Sequence, residues 1–303
     1  MLITRFFLLR ARDGVLIFGA FIVYMQIVGG SLPHTDEIAY VAFDQFETTS
    51  SIRLIDLERG LFTSLFTRFG RIDELAWSPD GEILYFGLFR AENIRRDIAA
   101  LTISTGEFRW LTDFPPDNNV PQPSPDGTQL VFQHFDEFRN DWDIYLLDLV
   151  SGETRLFFGS NSTEGRPVWT NDGQTVIVEK YETAGVCVLW IAVDTGIYES
   201  NTCGDVSGIA WSPDRTLTAF DVYSNGTSEV YVADATAQNS RQMTRMGGFA
   251  YSPDWSPDGG RLVFVYSQAS GLPDALYTID LLDETPRRIT PENTIHVAPT
   301  WRP

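Results

Sequence analysis

The chain has 303 residues, of which 41 are acidic and 22 basic, giving a net charge of −19, and 43% are hydrophobic. A surface so acidic repels nucleic acid and excludes nucleic-acid binding, while the hydrophobic content is ample for a core. Two cysteines with no histidine near them in sequence form an incomplete zinc set.

The N-terminus differs from the rest. Arg5, Arg10 and Arg12 precede a stretch of twenty residues, Gly14 to Pro33, without a formal charge. At about 1.5 Å per helical residue this hydrophobic helix would reach ~30 Å, enough to cross a bilayer core. Residues 1–35 therefore read as a membrane anchor, or as a signal peptide cleaved near Val28-Gly29-Gly30-Ser31. With arginines before the segment and Asp36 and Glu37 after it, the positive-inside rule exports the remainder of the chain. Both readings place residues 36–303 in the periplasm or at the cell surface, with the membrane touched through the N-terminal segment alone.

Next come three strands, at Glu37–Phe43, Ile52–Leu57 and Leu61–Phe69, and then the phrase Trp77-Ser78-Pro79-Asp80-Gly81. The phrase recurs in full at Trp255 to Gly259. Changed copies begin at Pro123, Trp169 and Trp211, and a truncated one at Trp301, so the steps are 46, 46, 42, 44 and 46 residues. A period in the forties built of β-formers is the signature of a propeller blade. Six copies predict an all-β, six-bladed β-propeller over residues 36–303, expected to be a monomer. The first three strands lack an inner partner, and Val297 to Trp301 has the inner-strand pattern. That C-terminal strand is expected to complete the first blade, a Velcro closure that leaves no open edge.

Within the phrase, Pro presets the first corner of a type I turn. Ser and Asp can bond nearby amides, and Gly accepts the left-handed conformation. Asp80 and Gly81, Asp126, Asp172, Asp214 and Asp258 take these turn roles, while Trp77, Trp169, Trp211, Trp255 and Trp301 are left to fill the wedges between blades. Pro123 replaces one Trp. Arg215 stands where Gly is needed and predicts a local change there. Between Cys187 and Cys203 lies the turn Asp194-Thr195-Gly196, and a hairpin closed there sets the two cysteines face to face. A cross-strand disulfide is the expected state outside the cytosol, with two unlinked thiols as the alternative.

Pro253-Asp254-Trp255-Ser256-Pro257-Asp258-Gly259, Asp143-Ile144-Tyr145-Leu146-Leu147-Asp148 and Leu111-Thr112 resemble the TolB-type, WD-like propeller repeats. The resemblance covers about residues 36–303. It implies the propeller fold and is less specific for function, because similar repeats occur in TolB, in propellers attached to prolyl oligopeptidase-type peptidases and in some lyases. The G-x-S-x-G elbow of the peptidases is not in this sequence.

Six blades would gather Asp73, Glu74, Asp117, Glu164 and Asp205 around one channel mouth, with His134 and His296 on the same face. Hard oxygen ligands there favour Ca²⁺ or a basic peptide, and a solvated acidic rim is the plain alternative. The function expected is a non-enzymatic protein- or peptide-binding module. The competing reading is a metal-assisted lyase or hydrolase with its site at that mouth.

Overall fold

The computed structural model describes residues 36–303 except 44–48, 93, 184, 205, 235–238, 269–273 and 292–294. The expected N-terminal segment and Asp205 lie outside the described residues. Among those described there are strands and turns but no helix, so none long and apolar enough to cross a membrane.

One four-strand antiparallel plan repeats along the chain. Strands Ile72–Trp77, Ile83–Arg90, Arg95–Thr102 and Phe108–Trp110 form one sheet in that order. Asn118–Pro123, Gln129–Asp136, Asp141–Asp148 and Thr154–Phe158 form the next, and Thr163–Trp169, Thr175–Glu182, Gly185–Ala192 and Tyr198–Gly204 another. The remaining units, headed by Val206–Trp211 and Phe249–Trp255, are joined by a single parallel bridge between Ser228 and Phe249. The sheet of Glu37–Phe43, Thr49–Asp56 and Leu61–Phe69 takes its inner strand from the other end of the chain. Ile295–Trp301 pairs with Glu37–Phe43 in antiparallel register, Ile38 opposite Trp301 and Phe43 opposite Ile295.

The core lies between the sheets. One apolar cluster joins Val41 and Ile52 to Trp77 and Phe86, another joins Tyr85 and Ile98 to Leu130 and Phe132. Trp169 packs with Val131 and Ile144 of the preceding sheet, and Trp255 with Val230 and Met243. Trp301 packs with Val263 and Leu276 on one side and Ile38 and Tyr40 on the other, so the last sheet and the first share a cluster. Where Pro123 replaces the tryptophan, the fully buried Phe132 and the nearby Phe114, 6.5 Å away between ring centres, occupy the interface.

The turns show why the phrase has its composition. In each described copy the Ser or Thr hydroxyl donates to the Asp carboxylate, and the same Asp accepts an amide two residues on. The last residue of the phrase is left-handed, with φ 69° at Gly81 and 61° at Arg215. The local change expected at Arg215 is absent. Its backbone keeps the turn bond, Arg215 N to Ser212 O at 2.9 Å, matching Gly81 N to Ser78 O at 2.8 Å. The cost of left-handed geometry, about 1 kcal/mol, is offset by a side-chain bond from Arg215 Nε to Asn171 Oδ1 at 2.9 Å. Asn171 is the residue that replaces Pro in the neighbouring copy, so the two departures from the phrase compensate each other.

The Thr that ends several outer strands has a comparable task. Thr112, Thr244 and Thr290 are buried, and their hydroxyls accept from Ile98 N, Val230 N and Leu276 N at 2.9 to 3.0 Å. They satisfy third-strand amides that the short outer strands leave unpaired.

Cys187 is disulfide-bonded and stands in register opposite Cys203, the other cysteine of the chain. A bridge closing a loop of about 15 residues is worth ~3 kcal/mol. Reduction, or Cys187→Ser, is therefore expected to lower the guanidinium midpoint, and an unchanged midpoint after complete reduction would contradict it.

Candidate binding channel

Three residues before each phrase the inner strand breaks its register. Asp73 pairs with Gly87 but Leu75 with Phe86, leaving Glu74 as an extra residue, a β-bulge. Similar shifts fall in every inner strand, including Ile295–Trp301. Glu74, Val120, Arg166, Gly208, Ser252 and Ala298 all have positive φ, between 33° and 64°. They recur with the same 46, 46, 42, 44 and 46 residue steps as the phrase, so this bulge is as much part of the repeat as the tryptophan.

The second strand supports the bulge of the next unit. Glu179 accepts from Ile209 N at 3.1 Å, Asp221 accepts from Ser252 N at 3.2 Å, and Gln133 Nε2 donates to Glu164 O at 2.8 Å. These three side chains sit ten residues after the first residue of their phrases. At the equivalent Gly87 the Asn119 side chain enters instead, and its Oδ1 would lie 1.9 Å from an added Cβ. The tryptophans tie the same strands together lower down. Trp77 Nε1 donates to Thr300 O, Trp169 Nε1 to Gln122 O and Trp255 Nε1 to Ala210 O, at 3.1 to 3.3 Å. Each acceptor immediately precedes the first residue of a phrase in a neighbouring unit.

Together the inner strands enclose a cavity of about 620 Å³. The turn prolines Pro79, Pro125, Pro213 and Pro257 line it, with Glu74, Arg166, Gly208, Ser252 and Ala298 of the bulges. Arg166 Nη2 meets Glu74 Oε1 at 3.4 Å, linking strands whose sheets are separated by a third in chain order. Glu74, then Glu179 and Asp221, raise the affinity of the Arg166 guanidinium for its proton against the opposing effect of burial. Burial pushes the Glu179 carboxyl upward, while Arg166 and the Tyr181 hydroxyl, bonded at 2.6 Å, pull it down.

The expected carboxylate rim is organised differently. Asp73 and Asp117 do not face each other across an open mouth, because both hold Arg96, at 2.7 and 3.0 Å. Asp73 also pairs with Arg71 at 2.6 Å. Glu164 is fully buried, bonded to the Ser160 hydroxyl and amide, and burial raises its carboxyl above the usual range. Of the described members of the acidic set, Glu74 is the one that lines the cavity. The mutual repulsion of Asp73 and Asp117 that would draw in Ca²⁺ is met by the chain's own arginines, Arg71 beside Asp73 in sequence and Arg96 from the third strand of the same sheet. Among the described residues no group of three or more His, Cys, Asp and Glu side chains is placed to hold a metal ion.

Nor do the histidines join the channel. His134 is buried with its ring 4.4 Å from Tyr145, and its Nδ1 lies 2.9 Å from Asn118 Oδ1. Asn118 Nδ2 donates to Phe114 O and Asp97, so its oxygen is the acceptor for His134. His296 is 1% exposed and packs 5.3 Å from Tyr40. Burial lowers its pKa to about 4, with Arg53 and Arg288 adding to the effect and the Asp274 carbonyl opposing it.

A folded-state value below the unfolded value means that the unfolded chain binds more protons between the two. The neutral His296 thus stabilises fully above about pH 6.5, and that contribution is lost as pH falls toward 4. The effect is about 3 kcal/mol. A His296→Gln variant is expected to show a shallower loss of stability across this window in denaturant titrations. Parallel slopes for the two proteins would refute it.

Residues 205–303 match the family model described as the TolB beta propeller domain. The crystal structure of TolB from Acinetobacter baumannii superposes with a TM-score of 0.78 at 19% identity, covering 89% of this chain and 67% of that one. The fold is a TolB-type β-propeller. In sequence this propeller is 28% identical over 136 residues to an uncharacterized protein of Agrobacterium fabrum, covering 42% of this chain and 46% of that protein. It is 28% identical over 119 residues to the Tol-Pal system protein TolB of Anaeromyxobacter dehalogenans, covering 39% of this chain and 27% of that protein. The chain thus spans less than half the length of the curated relatives it matches.

The TolB-type repeat makes the phrase, the bulge and the supporting second-strand residue one unit. Sequence reasoning missed the bulge. Its signal was the fixed position three residues before the first residue of each phrase, hidden because the six occupants share no side-chain chemistry.

Proposed function

We propose that this protein is an extracytoplasmic, six-bladed TolB-type propeller, closed by its C-terminal strand, that binds a protein or peptide partner in its central channel without catalysing a reaction. Residues 1–35 would export the propeller and hold it at the membrane. The similarity to a Tol-Pal system TolB supports an envelope role. The observation that carries the reading is the cavity of about 620 Å³, walled by repeated prolines and carrying an ion pair. Its volume can hold a side chain of an extended segment, and its one ion pair, Glu74 with Arg166, is carried by two of the bulges.

A photo-crosslinking amino acid at Ser252, inside the channel, is compared with one at Val150, 87% exposed on an outer turn. In intact cells the Ser252 position is expected to give a discrete adduct and the Val150 position none. Adducts from Val150 alone would overturn the channel as the docking site. Fractionation of full-length and 36–303 forms tests the membrane role, which fails if both remain equally with the membrane.

A further inference from the structure

Among the described residues, the charged side chains lining the cavity are Glu74, Arg166, Arg215 and Asp254. Two of them are engaged in holding the fold. Arg215 is bonded to Asn171, and the Asp254 carboxylate accepts from Trp301 N at 2.9 Å. Glu74 and Arg166 remain, each with about one third of its side chain exposed, 34% and 32%.

Their balance is unequal. One guanidinium is influenced by three carboxylates, those of Glu74, Glu179 and Asp221. Glu179 and Asp221 are buried and accept from backbone amides of the next unit. Among the described residues Glu74 has only the Arg166 contact at 3.4 Å, well beyond the ~2.7–2.9 Å of a strong charge-assisted bond. An anion entering the cavity would compete with three carboxylates for Arg166. A cation would find Glu74 accessible and loosely held, inside a molecule of net charge −19. The flanking walls are apolar, from Pro79, Pro125, Pro213 and Ile209, and suit the aliphatic stem of a long side chain.

We propose that the channel recognises its partner through a basic side chain, lysine or arginine on an extended segment, whose cationic head is bound by Glu74. This rests on the proposed channel binding and adds the chemistry of the ligand. The guest cation then competes with the long Arg166 contact for Glu74.

The test uses fluorescent, end-blocked peptides of Ala, Gly and Pro that carry arginine, citrulline or glutamate at the centre. Anisotropy is measured with the full chain at constant ionic strength. The arginine peptide is expected to bind about tenfold more tightly than its neutral citrulline isostere, the scale of one hydrogen-bonded charge. Glu74→Gln should abolish that preference, and Glu74→Asp should keep part of it; matching melting temperatures show that both variants are folded. Equal binding of arginine and citrulline, or tighter binding of glutamate, overturns the cationic assignment and leaves channel binding intact. Failure of all three peptides overturns the cationic assignment, and together with no adduct from Ser252 it overturns both.

Discussion

Deletion of residues 297–303 is expected to abolish cooperative folding. The lost strand carries the backbone pairing of Glu37–Phe43 on its inner side, from Val41 opposite Val297 to Ile38 opposite Trp301. It also removes the buried Trp301 from between the first and last sheets, and Thr300 O, the acceptor of the Trp77 indole. Arg302 is lost with it. That side chain is 5% exposed, donates to Gly81 O at 2.8 Å, pairs with Glu37 at 2.6 Å and lies over the Trp77 ring at 5.2 Å. It thereby fastens the end of the chain to both the first strand and the first phrase. The summed loss exceeds about 5 kcal/mol, comparable to the whole stability of many domains. Arg302→Ala alone should cost about 1.5–3 kcal/mol, since it removes the charge-assisted bond of a buried guanidinium to Gly81 O and its pairing with Glu37. Thermal melts of the three proteins decide this, and a deletion variant melting with the parent would refute the role of the terminal strand.

Trp169→Ala should lower stability by about 3–5 kcal/mol, the usual range for emptying a large aromatic site. Its ring is 4% exposed among Val131, Ile144, Leu146 and Val176, and its indole donates to Gln122 O at 3.2 Å. Trp211 is an internal comparison. It meets Trp190 edge-on at 5.2 Å, but its indole nitrogen is buried without a hydrogen-bond partner among the described residues. Trp211→Ala should therefore cost less than Trp169→Ala by about 1 kcal/mol, the net value of one hydrogen bond. Denaturant unfolding of both variants gives the comparison, and a larger loss at Trp211 would show that the indole bond is not the difference.

Such contrasts mark the boundary between what can be read from the chain and what cannot. The spacing of the phrase alone determined the repeat, because a turn built from Ser, Pro, Asp and Gly depends on neighbours within five residues. The facing of Cys187 and Cys203 is expected from the short turn but reached by another route: beside the turn Ile191 pairs with Tyr198 and Leu189 with Ser200, and a bulge between Leu189 and Cys187 shifts the register by one residue to set the cysteines opposite. The candidate site was legible only in part. Glu74 lines the channel, but Asp73, Asp117 and Glu164 are turned to Arg96 and Ser160, and His134 and His296 are core residues. A loop position tells which end of a blade a side chain starts from. Whether that side chain faces solvent, a cavity or a cation depends on residues one or two blades away, such as Arg166 meeting Glu74 across 92 positions of sequence. The compensation of Arg215 by Asn171 has the same origin. The turns and the period are short-range geometry, set by residues within a few positions of one another, whereas the bulges that shift the strand register within a unit carry no shared side-chain signal. The tertiary structure decided which charges meet, because electrostatic partners are chosen by distance in space after the sheets have packed.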